Sequence, residues 1–510
     1  MAESRIGGDG PADRPSSLRR ATVRGARLAL AGYVVSRGIL FFVYVVLARL
    51  ITPADFGRYA AASVVVGVGV LFAESGMMSA LIQRRDRLEE AASTAFFSLL
   101  IGGVLLSLGA LALAPVLGAF FQSQHVTPLA AVLAPGMLLR SLTVVPDALL
   151  QRRFSFARRV AVDPLGAIAF AVASIVACAN GAGAWGLVAG SYASLIIMVI
   201  SGWWFVRFRP RLRLASVKMW RELASFARHV LGSEILARGA QQIDTVMIGR
   251  VSGAAPLGQY RNGLRLAQQP SDAYVSVIAY VLLPALARLA DDAERLHAVA
   301  KRIFGLVSAS SIPVSLAFLP LGEPAAVLLL GPQWRPAGHA ISALCGLTAA
   351  TTVISFSSEV FKAVGKPKIL VHLYTLNLGV LVVVIPTAAL TLGFVGVAAA
   401  ISVSQVVTAA FALRRVAPLI AMSWREMLTE TTGPLLAGVQ MVIAMFVLSA
   451  AVKPLHHSAP LEWAWTVVEA LAGAFVYGAV LLLVDRSRRQ AVFELVARRR
   501  AQRKSLVGVG

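Results

Sequence analysis

The chain has 510 residues, of which 57% are hydrophobic and 14% charged, with a formal net charge of +23. A soluble domain carries about half apolar and roughly a quarter charged residues, so lipid must cover part of this apolar surplus. The cations alternate with apolar runs instead of forming one patch, which argues against nucleic acid and for the positive-inside pattern of a membrane protein. The two cysteines, Cys178 and Cys345, lie in apolar stretches and exclude a disulfide scaffold.

Residues 1–27, rich in Gly, Ser, Pro and Arg, read as a disordered basic cytoplasmic tail rather than a secretory signal, because the first apolar run is long enough to span. About fourteen apolar spans of roughly 17–25 residues follow. Their limits are 28–50, 59–83, 92–114, 127–149, 161–180, 184–206, 228–250, 260–287, 303–322, 337–361, 369–390, 394–413, 432–452 and 463–484. Few of the spans show period-2 alternation, so the expected fold is all-α and not a β-barrel.

Loops after even-numbered spans carry the cations: Arg84, Arg85 and Arg87, then Arg152, Arg153, Arg158 and Arg159, then Arg207, Arg209, Arg211, Arg213, Lys218 and Arg221. The pattern continues with Arg295, Lys301 and Arg302, with Lys362, Lys366 and Lys368, and with Arg414, Arg415 and Arg425. Loops after odd-numbered spans hold few, chiefly Arg58, Arg335 and Lys453. Such asymmetry predicts cytoplasmic N- and C-termini and an even number of spans. The expected organisation is a six-helix half at 28–206, a basic linker at 207–227, a second six-helix half at 228–413, two further helices at 414–484 and a basic tail at 485–510. The tail reads either as solvated or as a short amphipathic helix on the anionic inner leaflet.

An internal repeat relates the halves. Ser36–Tyr59 and Ala237–Tyr260 align without a gap, Arg37 meeting Arg238, Gly38 Gly239, Arg49 Arg250, Gly57 Gly258 and Tyr59 Tyr260. A weaker echo sets Ala184–Ser194 against Phe394–Ser404, Gly186 meeting Gly396. Six spans per unit give both halves one orientation, the plan of transporters that bind substrate between repeats and rock them for alternating access.

Polar residues at membrane depth are costly and normally face a cavity or a partner. Tyr33, Arg37 and Tyr44 share one helical face; so do Glu234, Arg238, Gln241 and Thr245, with Asp244 to one side; so do Arg261, Arg265, Gln268 and Asp272. Arg37, Arg238, Arg265, Tyr33, Tyr44, Gln241 and Gln268 are therefore the candidate substrate-binding residues of a cationic, hydrogen-bonding cavity between the halves. Arginine suits phosphate because its planar fork donates two parallel hydrogen bonds and stays charged. Glu74, Glu234, Asp244, Asp272 and Glu359 are candidate counter-charges or coupling-ion sites. Other readings stand beside these. Arg49, Arg250 and Arg261 either snorkel to the interface or face the cavity. Glu234 and Arg238, spaced i, i+4, either neutralise each other or serve the cavity. Arg140 and Asp147 read as a structural pair, or as cavity residues. Gly67 with Gly69, Gly102 with Gly103 and Gly186 with Gly190 are expected to let helices pack closely, and Pro135, Pro313 and Pro386 to mark bends. No metal spacing, phosphate loop, nucleophile elbow or catalytic carboxylate pair is present in the sequence, so no metal, cofactor or enzymatic activity is expected.

Three motifs carry a family resemblance: Thr52-Pro53-Ala54-Asp55-Phe56-Gly57, Phe72-Ala73-Glu74-Ser75-Gly76 and Ala80-Leu81-Ile82-Gln83-Arg84. A second-half signature adds Asp244-Thr245-Val246-Met247-Ile248-Gly249-Arg250 and Leu257-Gly258-Gln259-Tyr260. The chain resembles the polysaccharide transporter family of the multidrug/oligosaccharidyl-lipid/polysaccharide (MOP) flippase superfamily, including the Wzx-type flippases of lipopolysaccharide and exopolysaccharide biosynthesis. The resemblance implies two MATE-like six-helix halves plus two C-terminal helices. It also implies translocation of an undecaprenyl-diphosphate-linked oligosaccharide across the bacterial inner membrane. Implied partners are that lipid-linked substrate, membrane lipids, and a polysaccharide polymerase with its chain-length regulator. A cation-coupled drug antiporter of the same superfamily and a non-transporting scaffold are the competing functions. An antiporter wants an embedded acid where the first span has Arg37.

Overall fold

The computed structural model describes residues 35–84, 86–152, 156–225, 242–289, 292–452 and 459–484. Among these residues the chain is all-α, with no strand. It divides into two compact units, Met1–Gln242 and Ile243–Gly510. The first contains α1 (35–50), α2 (Pro53–Gln83), α3 (Leu88–Phe120), α4 (Val126–Leu133), α5 (Gly136–Arg152), α6 (Phe156–Ala179), α7 (Ala184–Val206) and α8 (217–225). The second contains α9 (Ile243–Val251), α10 (Ala254–Ala287), α11 (Ala293–Leu330), α12 (Arg335–Ala343), α13 (Leu347–Ala363), α14 (Lys368–Val416), α15 (Trp424–Val452) and α16 (Ala459–Val484).

Eight helical stretches among the described residues are long and apolar enough to cross a membrane, or nine if the bent pair α12–α13 counts as one span. Leu105, Val116, Phe446 and Phe475 point outward from such helices, the expected dress of a surface solvated by hydrocarbon. Of the fourteen spans expected, 228–250 falls largely outside the described residues, as do the start of the first and both terminal tails.

Local chemistry fixes the helix limits. Thr52 caps α2, its Oγ1 accepting from the Asp55 amide at 3.2 Å, while Pro53 fills the first turn, where its missing N–H is harmless. Asp55 also accepts from the Thr52 hydroxyl at 2.7 Å and pairs with Arg58 at 3.2 Å. The Thr-Pro-x-Asp motif is thus a built helix start. The internal repeat reappears in these limits. α1 ends at residue 50 and α9 at Val251, while α2 begins at Pro53 and α10 at Ala254. The register that carries Arg37 onto Arg238 carries each limit onto its partner.

The small residues act as expected at several crossings. A side chain on Gly186 or Gly190 would strike α6, and one on Gly103 would strike Ser141 of α5, whereas Gly102 faces open space. Pro135 separates α4 from α5. Pro313 and Pro386 lie inside α11 and α14, and the break in α14 falls at Gly393, where φ is +61°, rather than at Pro386. The linker expected at 207–227 belongs, through residue 225, to the first unit: Met219 and Leu223 are buried in one core with Leu81, Ala91 and Leu149. In the second unit Phe304, Phe356, Val360 and Val416 close a comparable core. Lys301 of α11 meets Glu426 of α15 at 2.9 Å beside it.

Candidate functional site

In the first unit α1 carries Arg37 exposed and Tyr44 half-buried. The Tyr44 ring tilts at 45° against Phe170 of α6, 5.7 Å between centroids, so that ring is already held by an aromatic neighbour. Tyr33 lies outside the described residues, and the side chain of Glu74 is likewise not described.

A second polar group forms between α5, α6 and α7. Arg140, Thr143, Asp147 and Asp163 line a cavity of about 60 Å³ closed by Pro146, Leu150, Val162, Met198 and Gly202. One water needs roughly 10–15 Å³, so the space has room for a few waters. Arg140 and Asp147, read from the sequence as a structural pair or as cavity residues, both line this cavity, together with Asp163. Asp163 was not recognised from the sequence, although an acid followed by Pro164 within an apolar run was a usable signal.

In the second unit Asp244, 5% exposed, anchors a closed network. The Tyr260 hydroxyl donates to its Oδ2, and the amide and hydroxyl of Thr245 reach Oδ1 at 2.6 and 3.1 Å. Arg261 then donates to the Thr245 hydroxyl at 3.3 Å. Tyr260, read from the sequence as a repeat position and part of the second-half signature, supplies the hydroxyl that binds this carboxyl. Arg261, for which snorkelling was one reading, turns toward the network. Further along α10, Arg265 is half-buried and donates to Asn262 at 3.2 Å, Gln268 is exposed and Asp272 half-buried. The polar stripe of α10 is therefore present on one helix. Glu359 of α13 is buried and takes the Lys362 ammonium at 2.8 Å, so its counter-charge comes from its own helix. Glu234, Arg238 and Gln241 lie outside the described residues.

Among the described residues, long apolar helices in two compact units define a polytopic, all-α membrane fold. The fold agrees with solved structures: a lipid II flippase MurJ in an inward closed conformation, with a TM-score of 0.74, 13% identity, and coverage of 90% of this chain and 99% of that one. An inward-facing MATE-family multidrug resistance transporter gives a TM-score of 0.53 at 18% identity, over 78% of this chain and 99% of that one.

The model of the family described as polysaccharide biosynthesis protein matches residues 46–339, more than half of the chain, and this protein belongs to that family. Among curated relatives, the succinoglycan biosynthesis transport protein ExoT of Rhizobium meliloti is 25% identical over 333 residues, 65% of this chain and 67% of its own. The lipopolysaccharide biosynthesis protein WzxC of Escherichia coli is 22% identical over 370 residues, 68% of this chain and 74% of its own.

Proposed function

We propose that this chain is a flippase that carries an undecaprenyl-diphosphate-linked oligosaccharide repeat unit across the bacterial inner membrane by alternating access, for exopolysaccharide or lipopolysaccharide assembly. The observation that carries this reading is guanidinium groups on helices that the sequence reads as spans, in a member of the polysaccharide biosynthesis family: Arg37 exposed on α1, and Arg265 half-buried on α10. A guanidinium in hydrocarbon costs several kcal/mol unless water or an anion meets it, and a diphosphate is an anion whose oxygens fit its fork. On this reading Arg37, Arg238, Arg265, Gln241 and Gln268 receive the diphosphate and sugar hydroxyls, with Tyr33 and Tyr44 beside the sugar rings. Glu74, Glu234, Asp244 and Asp272 supply counter-charge or ion coupling, and Glu359 does so through its pair with Lys362. The protein moves its substrate without altering a covalent bond. Fourteen spans, both termini in the cytoplasm, and a polymerase with its chain-length regulator as working partners complete the picture.

The test is a cell whose polymer export depends on this chain, scored for surface polymer and for lipid-linked repeat units trapped on the cytoplasmic side. Arg37→Ala with Arg238→Ala should stop export and trap the intermediate while the protein remains folded in the membrane. Normal polymer in that variant would refute the reading. The second reading, a cation-coupled drug antiporter, draws on one observation: Asp147 and Asp163 share a cavity with Arg140. It predicts drug efflux that is lost in Asp163→Asn and leaves polymer export untouched.

A further inference from the structure

The segment that follows α7 is basic, yet several of its apolar side chains face outward. Leu212 is 69% exposed, Val217 66% and Trp220 45%. Six exposed cations accompany them: Arg207, Arg209, Arg211, Arg213, Lys218 and Arg221. In α8 the opposite side is spent on the protein, since Met219 and Leu223, spaced i, i+4, are buried against α2 and α3. Val217, Trp220 and Ala224 share a different face, with Arg221 and Lys218 beside it on the side away from Met219 and Leu223. This is the arrangement of a helix lying in a bilayer interface, where apolar residues sink past the headgroups and cations meet lipid phosphates.

The segment is also held at a fixed depth. The Arg211 amide donates to Ser93 Oγ at 3.3 Å, the Ser216 amide to Thr94 Oγ1 at 3.2 Å, and the Ser216 hydroxyl to Glu90 Oε1 at 3.2 Å. Arg211 reaches Glu89 at 3.8 Å, and Glu222 of α8 takes Arg84 at 2.8 Å. Every partner but Arg84 lies in the first two turns of α3, whose apolar length Leu88–Phe120 is a candidate span. The segment itself leaves a second candidate span, Ala184–Val206, whose last turn shows Trp204 to the outside. Tryptophan at a span's end marks the headgroup level. Residues 207–225 are thus fastened where hydrocarbon gives way to headgroups.

We infer that residues 207–225 dock on the anionic phospholipid headgroups of the surrounding bilayer, with Leu212, Val217 and Trp220 inserted and the flanking Arg and Lys side chains on lipid phosphate. The segment after α7 is then a bilayer-surface strap tied to α3, not a free aqueous linker. Charge complementarity selects the occupant: cations near an anionic leaflet are drawn to it, whereas a zwitterionic surface offers no such attraction. The inference needs only that α3 and α7 span a bilayer. Its test contains no transport substrate, so its failure and a failure of the flippase reading are distinguishable.

The chain has two cysteines, so a version with Cys178→Ala and Cys345→Ala accepts a single nitroxide at Val217→Cys or, as an aqueous reference, at Ser225→Cys. The full-length protein is placed in nanodiscs of phosphatidylcholine alone or of phosphatidylcholine with phosphatidylglycerol. Collision rates with a water-soluble nickel reagent and with oxygen report depth. In anionic discs position 217 should meet nickel severalfold less often than position 225 and oxygen more often. High salt, or Arg209→Gln with Arg213→Gln and Arg221→Gln, should erase most of that contrast. Equal nickel access at the two positions in anionic discs overturns the inference. Protection at 217 that is the same in zwitterionic discs and indifferent to salt also overturns it, and points to a protein surface there instead. If the cysteine-free version does not fold, depth-dependent quenching of the native tryptophans by brominated phosphatidylglycerol, compared between Trp220→Phe and the unaltered chain, reads the same quantity.

Discussion

Gly183 and Gly393 hold the same unusual backbone conformation, φ 53° and ψ −128° at one and φ 61° and ψ −148° at the other. Each stands immediately before a helix, Ala184–Val206 in the first unit and 394–416 in the second, and both helices end at a valine. The register that sets Gly186 on Gly396 sets all these positions on one another. A faint sequence echo is therefore a conserved piece of geometry within the chain, placed where only glycine sits without strain.

That geometry gives the first prediction. A side chain in this region of backbone space costs about 1–3 kcal/mol. A methyl at Gly183 would also stand 3.3 Å from the Asp55 carboxylate, whereas Gly393 faces open space. Gly183→Ala and Gly393→Ala should both lower the thermal midpoint of the detergent-solubilised protein, Gly183→Ala by more. Equal midpoints in the two variants and the unaltered chain would contradict this.

The two repeat-related tyrosines should differ in worth. Tyr260 is fully buried and donates to the Asp244 carboxyl, while Tyr59 shares a hydrogen bond of 2.7 Å with Ser191 in a half-buried position. Tyr260→Phe leaves a buried acceptor short of a donor, at about 1–3 kcal/mol, against about 0.5–1.5 kcal/mol for an ordinary neutral bond. Unfolding midpoints of Tyr260→Phe and Tyr59→Phe should rank in that order.

The strap at the end of α8 should loosen in acid. The Arg84 guanidinium holds the Glu222 carboxyl below its ordinary value of 4.5. A carboxyl more acidic when folded contributes above its unfolded value and loses that contribution as pH falls through the folded one. A nitroxide at Ser225→Cys should report restricted motion at neutral pH and freer motion as pH drops below 4.5. With Arg84→Ala the motion should be free at both, and added salt should mimic the acid because the pair is partly exposed.

Helices were legible in the sequence to the extent that their cause is local. Thr52, Pro53 and Asp55 announce a helix start on their own, and the apolar runs of α3, α7 and α16 declare themselves by length. The polar stripe of α10 was legible for the same reason, since Arg261, Arg265, Gln268 and Asp272 lie within a few turns of each other. What the sequence concealed depends on distant partners. Asp163 comes to line one cavity with Arg140 and Asp147 only once α6 packs beside α5. Glu359 read as a candidate counter-charge or coupling-ion site, although Lys362 one turn away already offered it a partner. The linker reads as generic basic chain until Ser93 and Thr94 of α3 are seen to bind its backbone.

Loss of transport on removing the arginines should be graded. A charge-assisted hydrogen bond is worth about 1.5–3 kcal/mol, so Arg37→Ala alone should weaken substrate engagement about 10- to 100-fold, and Arg37→Lys should retain the charge but lose the fork. Competition by soluble diphosphate esters measures it.

The most direct measurement is translocation itself, in proteoliposomes containing only this chain and a fluorescent undecaprenyl-diphosphate-linked oligosaccharide, with an impermeant reagent that destroys outward-facing fluorophore. The unaltered protein should expose the protected inner pool to the reagent well above protein-free vesicles, and Arg37→Ala with Arg238→Ala should return the rate to background. A rate in the unaltered protein no faster than in protein-free vesicles, or a double variant as fast as the unaltered chain, would contradict a flippase that works through guanidinium–diphosphate contact.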